Sequence, residues 1–399
     1  MRILHIIRTL SPEAGGPSQA VRMLLSYRDI GYIGEVATLD DPAAPFLKTL
    51  DFPVHAFGPS GNTYGYNPEL LPWLRENHSR FDGVVVNGLW VYCGLAAWRA
   101  VAGSQTPYMV FTHGMLDPYF KRAHRLKHLK KWLYWAPVEY RVLRDAYRVL
   151  FTSTAEKQLA EESFWLHRWT PHVVPYGASG PPGKNHQGPE RQSLEEAFFE
   201  RSPLVRGQRF LLFLGRIHRK KGCDLLIEAF AKIADRDPGL HLVMAGPDQQ
   251  GWSEDLKQIA RKAGIEGRIH WPGMLNGDPK WGAFLASEAF ILPSHQENFG
   301  IAVAEAMSCG KTVLLSDQVN IAPDIATDQA GFMEPDTAEG TLRLLERWIA
   351  ASPETRAAMA TRALDTFHRR YDMRENAKTI IRLFESARAA LPETVSASS

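Results

Sequence analysis

Three segments of the 399-residue chain carry side chains that could do chemistry. The first is Gly215-Arg216-Ile217-His218-Arg219-Lys220-Lys221-Gly222, directly after the apolar run that ends at Leu214. At the carboxyl end of a strand, Arg216 would offer a planar fork of donors and Lys221 a point charge, which together suit a diphosphate. A solvated basic loop fits the charge pattern equally well. The second is PSHQENFGIAVAEAM, residues 293–307. A helix is expected to begin near Phe299–Gly300, with free N–H groups and a positive dipole end open to an anion. Glu297 and Glu305 flank that point and could accept hydrogen bonds from sugar hydroxyls. They also fit an acid complementing the dipole and a surface Glu. The third is Thr112-His113-Gly114-Met115-Leu116-Asp117-Pro118, which places a His at a predicted strand end.

The elements that must position these residues follow from the apolar pattern. Strands are expected at Ile3–Ile7, Val84–Val86, Tyr108–Thr112, Arg148–Thr152 and His172–Val174, with helices near Gln19–Tyr27, Leu95–Val101 and Leu126–Leu143. Residues 175–193, PYGASGPPGKNHQGPERQS, read as a linker. Alternation then restarts, with strands at Phe210–Leu214, His241–Ala245, Ile269–Trp271, Phe290–Leu292 and Thr312–Ser316. Helices fall at Cys223–Ala234, Ser253–Lys262 and Gly300–Ser308, and a last one at Asp372–Ala390. Two α/β halves with parallel sheets are expected, with a boundary near 180–205. Ligands of such sheets bind beyond the strands' carboxyl ends, and with two halves the cleft between them is the expected place.

Composition narrows the class. There are 46 Lys and Arg against 44 Asp and Glu, a formal charge of +2, so nucleic acid is not expected as a partner. Cys93, Cys223 and Cys309 are too few and too far apart for a disulfide framework or a zinc knuckle. The D-x-D at Asp235-Arg236-Asp237 runs into Pro238-Gly239 and reads as a helix end, so no metal site is expected. The start, Met1 to Arg8, reads as a strand, because Arg8 breaks an apolar run too short for a signal peptide. No stretch is apolar for long enough to span a membrane. These readings place the chain in the cytoplasm.

The motifs together resemble family 4 glycosyltransferases of the bacterial cell-surface polysaccharide type. Glu297 and Glu305 resemble the family's E-x7-E pair, and Gly215-Arg216 with Lys221-Gly222 its G-R-x-x-x-x-K-G segment. Ala245-Gly246-Pro247-Asp248 resembles its A-G-x-G/D turn, and Ser308-Cys309-Gly310-Lys311-Thr312-Val313 its A-C-G-x-P-V, with Thr312 in place of Pro. Val174-Pro175-Tyr176-Gly177 resembles V-P-N-G, with Tyr176 in place of Asn. Gly15-Gly16-Pro17 looks like the glycine loop, where backbone N–H groups can approach a phosphate. His113 to Pro118 resembles an H-G-M-L-x-P element.

The resemblance implies the GT-B fold, an α/β architecture of two Rossmann-like domains facing across a cleft. Residues 1–180 would be the acceptor side and 181–371 the donor domain. Residues 372–391 would cross back to the first domain, and 392–399 would form a flexible tail. It implies a retaining, metal-independent transferase that uses a UDP- or GDP-sugar as substrate and needs no cofactor. Arg216 and Lys221 would bind the diphosphate, Glu305 the ribose and Glu297 the donor sugar. Gly15, Gly16, Gly215, Asn298, Phe299, Gly300 and Ile301 would line the donor, and the base would be read by backbone near Trp271–Leu275. His113 would lie beside the donor sugar. Loops 60–68 and 88–93 would take a saccharide or a lipid-diphosphate-linked acceptor in exopolysaccharide, O-antigen or capsule synthesis. An epimerase or a non-catalytic nucleotide-sugar binder of the same fold is the alternative.

One basic stretch stands apart. Residues 121–150 hold nine Lys or Arg against Glu139 and Asp145, and Trp132-Leu133-Tyr134-Trp135 lies among them. Residues 121–135 suit peripheral contact with an anionic membrane on its inner face, or a solvated helix face over core aromatics.

Overall fold

The computed structural model describes residues 1–59, 62–118, 121, 125–183, 188–248 and 251–391. The tail 392–399, residues 60–61 of the expected acceptor loop and residues 122–124 of the basic stretch lie outside the described residues, as do the side chains of 125–127.

Runs of consecutive apolar residues mark strands covered on both faces, and such strands pair in parallel. The first half supplies β1 (Arg2–Ile7), β2 (Ile33–Thr38), β3 (Val54–Ala56), β4 (Gly83–Asn87), β5 (Tyr108–Phe111), β6 (Arg148–Phe151) and β7 (Pro171–Val173). The second supplies β8 (Arg209–Leu214), β9 (Leu240–Ala245), β10 (Ile269–Gly273), β11 (Ala289–Leu292), β12 (Thr312–Ser316) and β13 (Gly331–Glu334). The sheet orders are β3-β2-β1-β4-β5-β6-β7 and β10-β9-β8-β11-β12-β13, parallel throughout. Each order reverses once, between β1 and β4 and between β8 and β11. Connections leave such a point in opposite directions, which opens a crevice beyond the strand ends.

The chain divides into two compact units. Unit 1 is Met1–Tyr176 with the segment from Met373 onward, and unit 2 is Gly177–Asp372. The helix Met373–Ala389 is fastened to unit 1 by its own residues. Phe384 occupies the space over Gly83, where a Cβ would lie 2.2 Å from its ring. Arg388 pairs with Asp82, Arg374 with Asp29 at 2.6 Å, and Asn376 donates to the Pro175 carbonyl at 2.7 Å.

Some elements differ from expectation. The single helix expected over 126–143 is interrupted: Arg125–Tyr134 and Tyr140–Asp145 are α-helical, and Trp135–Glu139 between them is a π turn. Pro137 lies inside that turn, and its ring and missing N–H cannot continue an α-helix. The Pro- and Gly-rich stretch 175–193 is not all linker, because a helix starts at Pro189 and runs to Arg201. Pro at a first helical position costs nothing, so a linker residue by composition is here a helix start. β2 was not foreseen because Gly34 and Glu35 interrupt its apolar run, and Glu35 is held by Arg2 and His55. The three cysteines are free, and burial pushes each thiol up to about 12. Among the described residues no helix is long and apolar enough to cross a membrane.

Candidate active site

In unit 2 the expected donor residues converge where the sheet order reverses. After β8 the chain passes Gly215 and Arg216, makes a 3-10 turn at Arg219–Lys221, and enters the helix Cys223–Ile233 through Gly222. Gly222 has φ +63°, and a Cβ there would lie 2.1 Å from the Pro293 carbonyl oxygen. Only glycine permits that conformation and that approach at little cost. The contact brings the turn against the loop after β11, where His295 donates its amide to the Lys220 carbonyl at 2.8 Å. The Lys221 ammonium pairs with Glu297 as a result. Arg216 is exposed and makes no ion pair among the described residues.

Glu297 is held from its other side by the loop after β12. Its amide donates to the Gln318 carbonyl at 3.0 Å, and its carbonyl accepts from Asn320 at 3.0 Å. The Asn320 side chain donates to the Asn298 side-chain oxygen at 3.3 Å. Gly300, at φ +80°, caps the helix Ile301–Ser308, whose first amides have no carbonyl a turn earlier to bind. Phe299 points into the core and meets Tyr371 edge to face at 5.6 Å, so only its backbone is placed for a ligand.

Glu305 is buried on that helix and is not a lone carboxylate. Lys280, from the helix Gly277–Ala286, donates to its Oε1 at 2.6 Å while lying 4.3 Å over the Trp281 ring. Its Oε2 accepts no hydrogen bond from the described residues. Lys280 went unnoticed in the sequence because its partner is 25 residues away. The carboxyl ends of β8, β9 and β10 are joined by bonds from Gly215 to the Ala245 carbonyl (3.0 Å) and from Gly246 to the Gly273 carbonyl (2.9 Å). A pocket of ≈ 320 Å³ opens there between Ile217, Gly246, Pro247, Trp271, Gly273 and Met274, at the segment expected to face a base. Asp248 is spent on its own chain, accepting from the amides of Trp252 and Ser253. Asp237 of the D-x-D takes the Arg209 guanidinium at 3.0 Å. Among the described residues no three His, Cys, Asp or Glu gather as a metal site would require.

In unit 1, Gly15 (φ +85°) and Gly16 open the helix Gly16–Leu24 after β1. His113 follows β5 with φ +52° and is half-buried. Its ring stacks on Phe111 at 5.3 Å and lies 5.3 Å from the Tyr176 ring, the position where the family motif has Asn. Burial, with His5 nearby, holds its imidazole neutral, down to about 3. The turn that carries it is anchored by the buried Glu156, which accepts from the Thr112 hydroxyl, the Gly114 amide and the Thr152 amide. Ser153 caps the helix that carries Glu156, accepting from its amide at 3.0 Å, and this short-range pattern does not announce the long-range anchor.

The basic stretch is less uniform than its sequence. Lys131 turns inward, 4.4 Å over the Trp90 ring, and burial lowers its pKa. Leu129, Leu133 and Trp165 are well exposed, and Trp165 stacks on Trp132 at 5.3 Å.

Two family models match the chain in tandem. Residues 15–177 match a glycosyl transferase 4-like domain and residues 195–366 match glycosyl transferases group 1. Its two halves are glycosyltransferase domains. Over 98% of its length this transferase is 27% identical to the GDP-mannose:cellobiosyl-diphosphopolyprenol alpha-mannosyltransferase of Komagataeibacter xylinus, covering 95% of that protein. It is 29% identical to the phosphatidyl-myo-inositol mannosyltransferase of Mycolicibacterium smegmatis, across 49% of this chain and 51% of that one. Among solved structures, sucrose-phosphate synthase from Thermosynechococcus elongatus matches with a TM-score of 0.73 at 19% identity, over 98% of this chain and all of that one. Anabaena HepE in complex with UDP and glucose matches with a TM-score of 0.73 at 19% identity, over 97% and 100%. The likeness to these structures makes the fold GT-B.

Proposed function

We propose that this chain is a retaining, metal-independent glycosyltransferase that moves a sugar from a nucleotide-diphosphate sugar to a lipid-diphosphate-linked saccharide in surface polysaccharide synthesis. The observation that carries the reading is the Lys221–Glu297 pair beside the exposed Arg216, at the point where the order of the second sheet reverses. Charge grows on the nucleotide diphosphate as the glycosidic bond breaks, and preorganised cations and helix amides there lower the barrier. Arg216, Lys221 and the amides around Gly300 supply them. Glu297 holds hydroxyls of the transferred sugar. Glu305, oriented by Lys280, holds the ribose through Oε2. The pocket beside Trp271 takes the base. Gly15 and Gly16 are assigned to phosphate and His113 to the sugar.

The relative from Komagataeibacter xylinus, aligned over nearly the whole of both chains, favours GDP-mannose as donor and a diphosphopolyprenol-linked oligosaccharide as acceptor. Such an acceptor lies at a membrane. The exposed Leu129, Leu133 and Trp165, in a segment with exposed Lys121 and Lys130, suit docking to the anionic inner face of the cytoplasmic membrane.

The test is thermal shift against a panel of nucleoside diphosphates and their sugars, with and without EDTA. Ligand at about 100 times its Kd stabilises by about 2.7 kcal/mol. Stabilisation by GDP and GDP-mannose that is unchanged in EDTA, followed by transfer of labelled mannose to the lipid-linked acceptor, supports the reading. Loss of stabilisation in EDTA overturns metal independence, and failure of every nucleotide to bind overturns the donor site.

A further inference from the structure

A line of hydrogen-bonded side chains crosses the first sheet beneath His113. Tyr32 stands before β2, His5 on β1, Asn87 at the end of β4 and His113 after β5, and these strands are neighbours in that order. Tyr32, His5 and Asn87 are buried. The His5 Nε2 is 2.7 Å from the Tyr32 hydroxyl, Asn87 Nδ2 is 3.3 Å from His5 Nδ1, and His113 Nε2 is 3.3 Å from Asn87 Oδ1.

The backbone settles which atom is which. Asn87 Nδ2 also lies 3.2 Å from the Val85 carbonyl oxygen and 3.4 Å from that of Ile6. Carbonyl oxygens only accept, so this atom is the amide nitrogen and the side chain cannot be turned over. Its oxygen therefore faces His113, and an amide oxygen only accepts. His113 must therefore carry a proton on Nε2, and in the neutral ring that leaves Nδ1 bare. His113 Nδ1 is buried and has no partner among the described residues, which a bare acceptor tolerates better than a buried N–H would.

We propose that Asn87 is a positioning residue that holds His113 as the neutral Nε2–H tautomer. This rests on the assignment of His113 to the transferred sugar. A carboxylate in the place of Asn87 would draw a second proton onto the ring. A cationic imidazole beside a sugar that becomes oxocarbenium-like would oppose the transition state, and an amide avoids this. The other titratable groups around the ring are His5 across Asn87, Tyr32 beyond it, the neighbouring Tyr176, and Glu156 on the far side of the turn through the Gly114 amide. Burial lowers the His5 and His113 pKa values to about 3, in keeping with neutral rings throughout.

The test has two parts. Nitrogen-15 NMR of the full chain, without substrate, reads the tautomer directly. The Nε2–H form without titration between pH 5 and 9 is expected, and the Nδ1–H form or a midpoint near 6.5 overturns the proposal. This reading stands or falls whether or not transfer is ever observed, so it is separate from the transferase assignment. In the second part, Asn87→Asp is compared with the wild type across pH. Donor KM should change little, while kcat of the variant should fall about tenfold from pH 8.5 to pH 6 and that of the wild type stay level. A folded Asn87→Asp protein whose kcat profile parallels the wild type overturns the proposal.

Discussion

Lys221 and Glu297, 76 residues apart in sequence, form an ion pair at the carboxyl ends of β8 and β11. The cation proposed for a diphosphate is thus held by the carboxylate proposed for the transferred sugar. Losing one such electrostatic group costs about 10²–10³ in rate. Lys221→Ala should lower kcat/KM for the donor by about that factor. If Glu297 holds the transferred sugar as proposed, Glu297→Ala should lower kcat more than it weakens nucleotide affinity. Steady-state rates with nucleotide titrations for both variants check this, and the double variant should fall well short of the product of the two losses.

Lys280 and Glu305 make the second pair. Glu305→Ala should mainly raise the nucleotide Kd with a smaller effect on kcat. Lys280→Met should do the same more weakly, because it frees Glu305 without removing it. Calorimetric titration of the nucleoside diphosphate separates the two, and a pure kcat defect in either would place Glu305 elsewhere than on the ribose.

Gly222 is where fold and site meet. An alanine there must adopt φ +63° and place Cβ against the Pro293 carbonyl. The left-handed conformation alone costs about 1–2 kcal/mol, and the clash adds to it. Gly222→Ala should lower Tm and, through the displaced Lys221, reduce donor binding as well. A variant with a lower Tm and normal donor affinity would show that the turn does not position Lys221.

Glu139 gives a pH signature. It is buried, accepts from the Trp90 amide at 2.6 Å, and burial pushes its carboxyl up to about 7. The fold therefore keeps a proton that the unfolded chain loses near 4.5. Its contribution to stability is complete below about 4.5 and is lost as pH rises through 7, at most about 3 kcal/mol by linkage. Glu139→Gln should remove that slope and raise Tm at pH 8 relative to wild type. Denaturation at pH 5 and pH 8 for both proteins measures it.

The proposed membrane docking is open to a direct test. Sedimentation should show binding to anionic vesicles that weakens with salt, and much less to neutral ones. Trp165→Ala with Leu133→Ser should weaken binding without changing turnover on a water-soluble acceptor. Equal binding to both vesicle types would remove the electrostatic part of the proposal.

Much of this was legible in the chain itself. The apolar runs announced most of the parallel strands, because strands covered on both faces must be apolar throughout. The spacing of Glu297 and Glu305 and the Arg216–Lys221 segment pointed to the proposed donor site, because both segments lie at strand ends beside helix starts and so are close in sequence. Only the tertiary structure decided the partners. The binding of Lys221 to Glu297, Lys280 to Glu305, Glu156 to the His113 turn and Asn87 to His113 depends on strand order and on which connections meet at a sheet end. Those contacts join residues tens of positions apart, and no local periodicity encodes them. Burial is likewise decided only by the fold for Lys131, which lies over the Trp90 ring, and for Glu139, which accepts from the Trp90 amide; both count as plain charges in the sequence.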